Sequence, residues 1–291
     1  MVTEDWDNCA DNEINMNETV CKAKLSSRIT NAMILLHTLS AVAYSMRIMM
    51  ANIDVTDRMS EPPYIHKMEL PFDVKTQRTY KMILITQTVY VVMCSWAAGA
   101  VNALLLTLVL HIGGQMDILH RWLINFASKE SGKKHESITT DKIIQKHQKI
   151  IDFSKNVENL YTYIALLQFL SNTIMICSLA FLIVSAIGTP DATEQIIRSL
   201  LFYTITNLEA FVFCFAGEYL NNKSKAVGNA AYNTAWYNSK PENIRILSFI
   251  ILRSQKQLTL TVGKMADLSL EYFANIMNAS VSYLSVMLAM Q

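Results

Sequence analysis

The last twenty residues, Tyr272–Gln291 (YFANIMNASVSYLSVMLAMQ), carry no charge. As a helix rising about 1.5 Å per residue they reach roughly 30 Å, the thickness of a bilayer's hydrocarbon core. Yet Asn275, Asn278, Ser280, Ser282 and Ser285 interrupt the run, and the segment before it carries Arg253, Lys256, Lys264 and Glu271. Two readings fit. One is an ordinary spanning helix whose hydroxyls bond back to their own turn. The other is a helix that borders protein or water, where small polar groups are tolerated and lipid contact is not required.

Working outward, the rest of the chain has the same character. It is 52% apolar and 17% charged, against about 25% charge in soluble domains. A net charge of +1 gives no electrostatic case for nucleic acid. Alternating strand patterns are absent, so the class is an all-α integral membrane protein. Residues 244–262 form a basic amphipathic piece, and 244–271 is expected as one helix leading into the final span at 272–290. Before it come a span at 197–220 holding Glu209, and a stripe at 141–187 that is wet in its first half and uncharged from Leu160. A very long apolar helix at 82–126 exceeds what tilt absorbs and projects out of the bilayer. A span at 29–50 follows the polar segment 1–28. The loop 51–81, with Pro62, Pro63 and Pro71, is either a lid or a plain connector.

Lysine and arginine number eight in 117–159, one in 189–198 and seven in 220–271. Positive loops favour the cytoplasm. Five spans then put the N-terminus inside and the C-terminus outside.

No reaction chemistry is legible. The chain has no Walker loop, no GxGxxG, no GxSxG and no HExxH, so an enzyme is not expected, nor a cofactor. Its six histidines do not cluster at metal-ligand spacing. His111 and Gln115 share a helix face, a weak ligand set better read as packing. Glu209 either lines a wet path or bonds a neighbouring helix.

An ordered set of residues makes the chain recognisable. From Cys214 it runs Gly217-Glu218-Tyr219-Leu220, Ser224, Val227, Ala230-Ala231-Tyr232 and Trp236-Tyr237. It continues with Ile251–Lys256 (ILRSQK), Leu260-Thr261, Gly263-Lys264, Leu268–Glu271 and Phe273, and ends on Ser280–Leu284 (SVSYL). Upstream, His111, Gly114-Gln115 and Leu119 belong to the same pattern, as does Asp5-Trp6. This set resembles the insect odorant receptors, of the kind expanded in ants, bees and wasps.

The resemblance implies a heptahelical fold of which five spans are present here, the N-terminal region and first two spans being absent. It implies an odorant-gated cation channel in the plasma membrane of olfactory sensory neurons, assembled as a tetramer with the common olfactory co-receptor. Small volatile odorants would be the ligands and cations the permeant ions. The second half of the last span would line the pore, with Val286 and Met290 at the gate and Ser282 below them. An apolar ring closes such a path by dewetting. Trp236, Tyr237, Arg253, Ser254, Gln255, Lys256, Gly263 and Lys264 would belong to an intracellular anchor between subunits. In the outer half of the membrane, Tyr44, Tyr90, Met93, Phe202, Tyr203 and Thr206 are the odorant-pocket candidates. Aromatic and thioether groups with a few hydroxyls suit small volatiles; plain helix packing is the alternative for each. Departures from the family pattern are Asn102, Gln257, Asn278-Ala279 and the lone Arg245. The competing functions are a gustatory-type channel and a non-functional receptor fragment.

Overall fold

The computed structural model describes residues 13–50, 64–65, 76–128, 140–186, 192–234, 237 and 241–289. They form helices α1 (Glu13–Met50), α2 (Gln77–Ser128), α3 (Thr140–Ala186), α4 (Ala192–Asn233) and α5 (Pro241–Ser254), strands β1 (Thr261–Val262) and β2 (Ala266–Asp267), and helix α6 (Leu270–Ala289). α2, α3 and α4 have 52, 47 and 42 residues. At about 1.5 Å per residue each runs to roughly 60–80 Å, about twice a hydrocarbon core. Among the described residues these three helices are long and apolar enough to cross a membrane. Residues 29–50 and 272–289 of the expected spans are helical in α1 and α6; residue 290 and several side chains of both lie outside the described set.

The chain divides into two compact units, one of residues 28–103 and one comprising residues up to Ser27 together with 104–291. In the first, Tyr80 and Leu84 are buried with Ile65. Tyr64 meets the Tyr80 ring edge-on at 5.5 Å, and the Gln87 side-chain carbonyl accepts the Ile65 N–H at 3.1 Å. Trp96 Nε1 donates to Thr38 Oγ1 at 3.0 Å, tying α2 to α1. The remainder of the loop at 51–81, and with it the lid reading, lies outside the described residues.

The larger unit holds the main core. Its seams step at close to 3.5 residues, the spacing that keeps one helix face against another. On α2 the buried residues Leu105, Val109, Ile112, Met116, Leu119 and Leu123 advance by fours and threes. On α3, Ile143, Ile150 and Val157 advance by sevens, and α4 answers with Phe213, Leu220 and Val227. Leu247 and Ile250 of α5 close the same core. Where these seams extend past the apolar spans, each fully buried side chain gains about 1.5–3 kcal/mol from leaving water. Inside a bilayer that gain vanishes and close packing takes over.

Two helices run on past the expected spans, and one expected helix is interrupted. α1 starts at Glu13, well before 29. α4 continues to Asn233 because Ser224, Val227, Ala230 and Ala231 prolong its buried face beyond Leu220. The single helix drawn over 244–271 ends at Ser254, where Arg253 Nη1 donates to the Lys256 carbonyl at 3.1 Å. The following Leu258–Val262 alternates, with Leu260 and Val262 buried and Thr259 and Thr261 less so. A short strand pattern is therefore present after all, and it builds an antiparallel hairpin in which Val262 pairs with Ala266 and Thr261 with Asp267.

Candidate functional site

α6 starts cleanly. The Ser269 hydroxyl accepts the Tyr272 N–H at 3.1 Å, satisfying one of the free donors at the helix start. Glu271 in the first turn complements the helix dipole. One face packs on the core: Tyr272 meets Phe169 edge-on at 5.6 Å, Phe273 meets Phe211 at 5.8 Å, and Ser280 is buried. The opposite face is uncovered. Asn275, Asn278, Ser282 and Ser285 lie along it at steps of three and four, with Val286 57% exposed beside them. The hydroxyls of Ser280, Ser282 and Ser285 bond back to Ile276, Asn278 and Ser282 carbonyls at 2.9, 3.1 and 2.7 Å. Back-bonding and a polar stripe are thus both present on one helix.

The hairpin is the mounting of α6. Its turn residues Gly263 and Lys264 both have positive φ, 57° and 61°, and a lysine in that region costs roughly 1–2 kcal/mol. Hydrogen bonds to Thr162 on α3 offset it. The Thr162 carbonyl accepts the Gly263 N–H at 2.9 Å, and Thr162 Oγ1 accepts the Lys264 N–H at 3.1 Å. Thr261 donates its hydroxyl to Glu158 at 3.2 Å, so its lone pair receives the Thr162 hydroxyl at 3.0 Å. Thr162→Val keeps the shape and removes the acceptor. It should lower unfolding free energy by about 1–2 kcal/mol, read by denaturant unfolding of the detergent-purified chain, with Thr162→Ser close to wild type.

At the far end of this mounting, His147 of α3 lines a small cavity with Met116, Ser224, Arg253 and Leu258. Ser224 Oγ accepts the Leu258 N–H at 3.1 Å. Burial first, and the Arg253 charge second, push His147 down to about 4 from 6.5. It is neutral when folded and titrates near 6.5 when unfolded. Stability is therefore complete above pH 6.5 and is lost as pH falls toward 4. Thermal melts at pH 7.5, 6 and 4.5 should show that decline, and His147→Gln should flatten it.

A family model described as 7tm Odorant receptor matches residues 2–281. The chain belongs to the 7tm odorant receptor family. It is 32% identical to Odorant receptor 10 of Aedes albopictus over 177 residues, covering 60% of this chain and 46% of that one. It is 26% identical to the Odorant receptor coreceptor of Ooceraea biroi over 162 residues, covering 55% and 33%. The chain thus spans about half or less of the length of these relatives. Its fold matches the insect olfactory receptor OR5 of Machilis hrabei, solved with eugenol, at a TM-score of 0.76 and 16% identity, covering 95% of this chain and 68% of that one. Family and apolar helices together make it a multi-pass membrane protein.

The receptor's candidate odorant residues are not drawn into one described cavity. Tyr90 and Met93 face outward on α2, 61% and 65% exposed. Phe202 and Tyr203 are half-buried on α4, and Thr206 is buried with its hydroxyl donated to the Phe202 carbonyl at 2.9 Å. The side chain of Tyr44, and the residues Trp236 and Met290, lie outside the described residues. Of the anchor candidates, Arg253, Ser254 and Lys256 line the His147 cavity, Gln255 is exposed at the end of α5, Gly263 and Lys264 form the hairpin turn, and Tyr237 is exposed. Glu209 is buried and accepts from Gln168 Nε2 at 3.3 Å, a bond to the neighbouring helix. His111 packs edge-on against Phe153 at 6.0 Å. Reading the residues alone missed Glu158 and Thr162, whose partners lie about a hundred positions away.

Proposed function

We propose that the receptor is a subunit of an odorant-gated, non-selective cation channel that works with the olfactory co-receptor. The observation that carries this is the uncovered stripe Asn275–Asn278–Ser282–Ser285 on a firmly mounted helix that is uncharged from Tyr272 onward. Left to lipid, amide groups on such a face would lose their hydrogen bonds. Facing a shared aqueous path in an assembly with other subunits, they keep water. Val286 and Met290 then form the closing ring near the outer end, and Ser282 lies below them.

On this reading the N-terminus and the lower ends of α2–α4 are cytoplasmic, as the lysine and arginine counts favour. α5 and the hairpin become the anchor between subunits. Small volatile odorants enter from the outer half of the membrane near Tyr44, Tyr90, Met93, Phe202, Tyr203 and Thr206, in the plasma membrane of olfactory neurons. The test is membrane current in cells expressing the chain with and without the co-receptor. Odorant-evoked current only with the co-receptor supports the reading. Current without it would point to a stand-alone, gustatory-type channel, and none in either case to a chain that does not conduct.

A further inference from the structure

A cavity of about 170 Å³ lies between the start of α1 and the middle of α2, inside the larger unit. It is separate from α6, from the hairpin and from the odorant candidates. Ala23, Leu108, Leu110 and Gly114 give it hydrocarbon walls; Lys22 and Gln115 give it a polar end, and Thr19, Ser26, Thr107 and His111 complete the lining. An apolar cavity of comparable size, about 150 Å³, accommodates benzene, so a body of about six to ten heavy atoms fits here.

The polar end has an unmet requirement. The Gln115 side chain is 1% exposed, and its Oε1 accepts a hydrogen bond from Lys146 Nζ. An ammonium group only donates, so the amide cannot be turned the other way. Nε2 is therefore a fixed donor, and it has no hydrogen-bond partner among the described residues. Nearby, Lys22 Nζ lies 3.6 Å and Lys223 Nζ 2.5 Å from the two oxygens of the same carboxylate, Asp117. Both ammonium groups also sit 5.7 Å from the Tyr219 ring centre. Two lysines thus share one aspartate and a third, Lys146, is held by Gln115, so the local field favours a negative guest.

We propose that this cavity binds a monocarboxylate with a short hydrocarbon body, one carboxylate oxygen taking the Gln115 N–H and the other facing Lys22. Two oxygens match one amide and one ammonium. On the orientation proposed above, the cavity sits at the cytoplasmic end of the apolar spans. The acid then comes either from the cytosol or, as a longer fatty acid, from the inner leaflet, and both present the same chemistry.

The test is a binding measurement on the full chain in lipid nanodiscs, with sodium octanoate as the soluble probe and oleate loaded into the disc as the membrane probe. Octanoate should raise the melting temperature saturably, at a half-effect at least tenfold lower than octanol or octylamine. Gln115→Leu and Lys22→Gln should each raise that half-effect at least tenfold. Leu108→Trp, which fills the cavity and spares the polar end, should abolish the response. Protection by oleate alone places the source in the bilayer, and protection by octanoate places it in solution; either supports the site. Equal effects of octanoate, octanol and octylamine, or no loss in the three variants when all melt cooperatively, overturns it. Because the readout is binding and not current, the site stands or falls independently of the channel reading.

Discussion

Gly217→Ala should destabilise the receptor by about 3 kcal/mol, the upper end of what overpacking ordinarily costs. A methyl group on Gly217 would lie 2.3 Å from the Leu268 carbonyl oxygen, 2.6 Å from its Cβ and 2.9 Å from its carbonyl carbon. Two of those three atoms are backbone, which cannot swing aside as a flexible side chain does. Leu268 cannot retreat either, because its N–H is bonded to the Leu260 carbonyl at 2.8 Å and its side chain is buried. Relief therefore requires α4 and the hairpin to part, loosening Leu260, Val262 and Leu268 together. The sign is the informative feature. Alanine is intrinsically about 1 kcal/mol better than glycine inside a helix, so a position with room should gain. Gly99 on α2 is such a position, its nearest neighbour being Ile34 Cγ1 at 3.4 Å. Denaturant unfolding in detergent should show Gly99→Ala neutral or stabilised and Gly217→Ala clearly weakened. Like signs at both positions would mean that the contact between α4 and the hairpin is not tight.

The same contact shows where reading the residues succeeds and where it stops. The uncharged length of Tyr272–Gln291 and the step-three, step-four placing of Asn275, Asn278, Ser282 and Ser285 are local facts, so the helix and its polar stripe were legible. The long apolar runs behind α2, α3 and α4 were legible for the same reason. The hairpin was not. Its alternation covers only Leu258–Val262 and follows an amphipathic helix without a proline or glycine to mark the break. Its turn puts Lys264 at a φ of 61°, a conformation lysine does not advertise. What stabilises that turn is Thr162, which no spacing rule connects to it. Likewise Phe213 and Met93 are both apolar residues in uncharged stretches, yet one is fully buried and the other 65% exposed. Their difference is decided by which helices pass beside them, which a place in the outer half of the membrane does not reveal.

Val286→Cys, treated with a charged soluble thiol reagent in an assembled, odorant-activated complex, should lose most of its current, and Ser282→Cys should do the same. Both side chains are exposed on the uncovered face of α6. A charged adduct in a narrow aqueous path blocks permeation sterically and electrostatically. Ser280→Cys should be spared, because Ser280 is buried against the core and only two positions away from Ser282. Reactivity at 278, 282 and 285–286 with protection at 276 and 280 is the helical signature of one wetted stripe. A second change probes the gate itself. Val286→Ser removes an apolar group from the ring and substitutes a hydroxyl; at about 1.4 kcal/mol per tenfold, losing roughly 1.5–3 kcal/mol of apolar character should raise resting conductance about tenfold or more. Reactivity with no periodicity, or a full current after modification at both 282 and 286, would place this face of α6 against lipid or another subunit. The hydroxyls of Ser282 and Ser285, already bonded to their own turn, would then need no water, and the amides of Asn275 and Asn278 would need protein partners from the assembly.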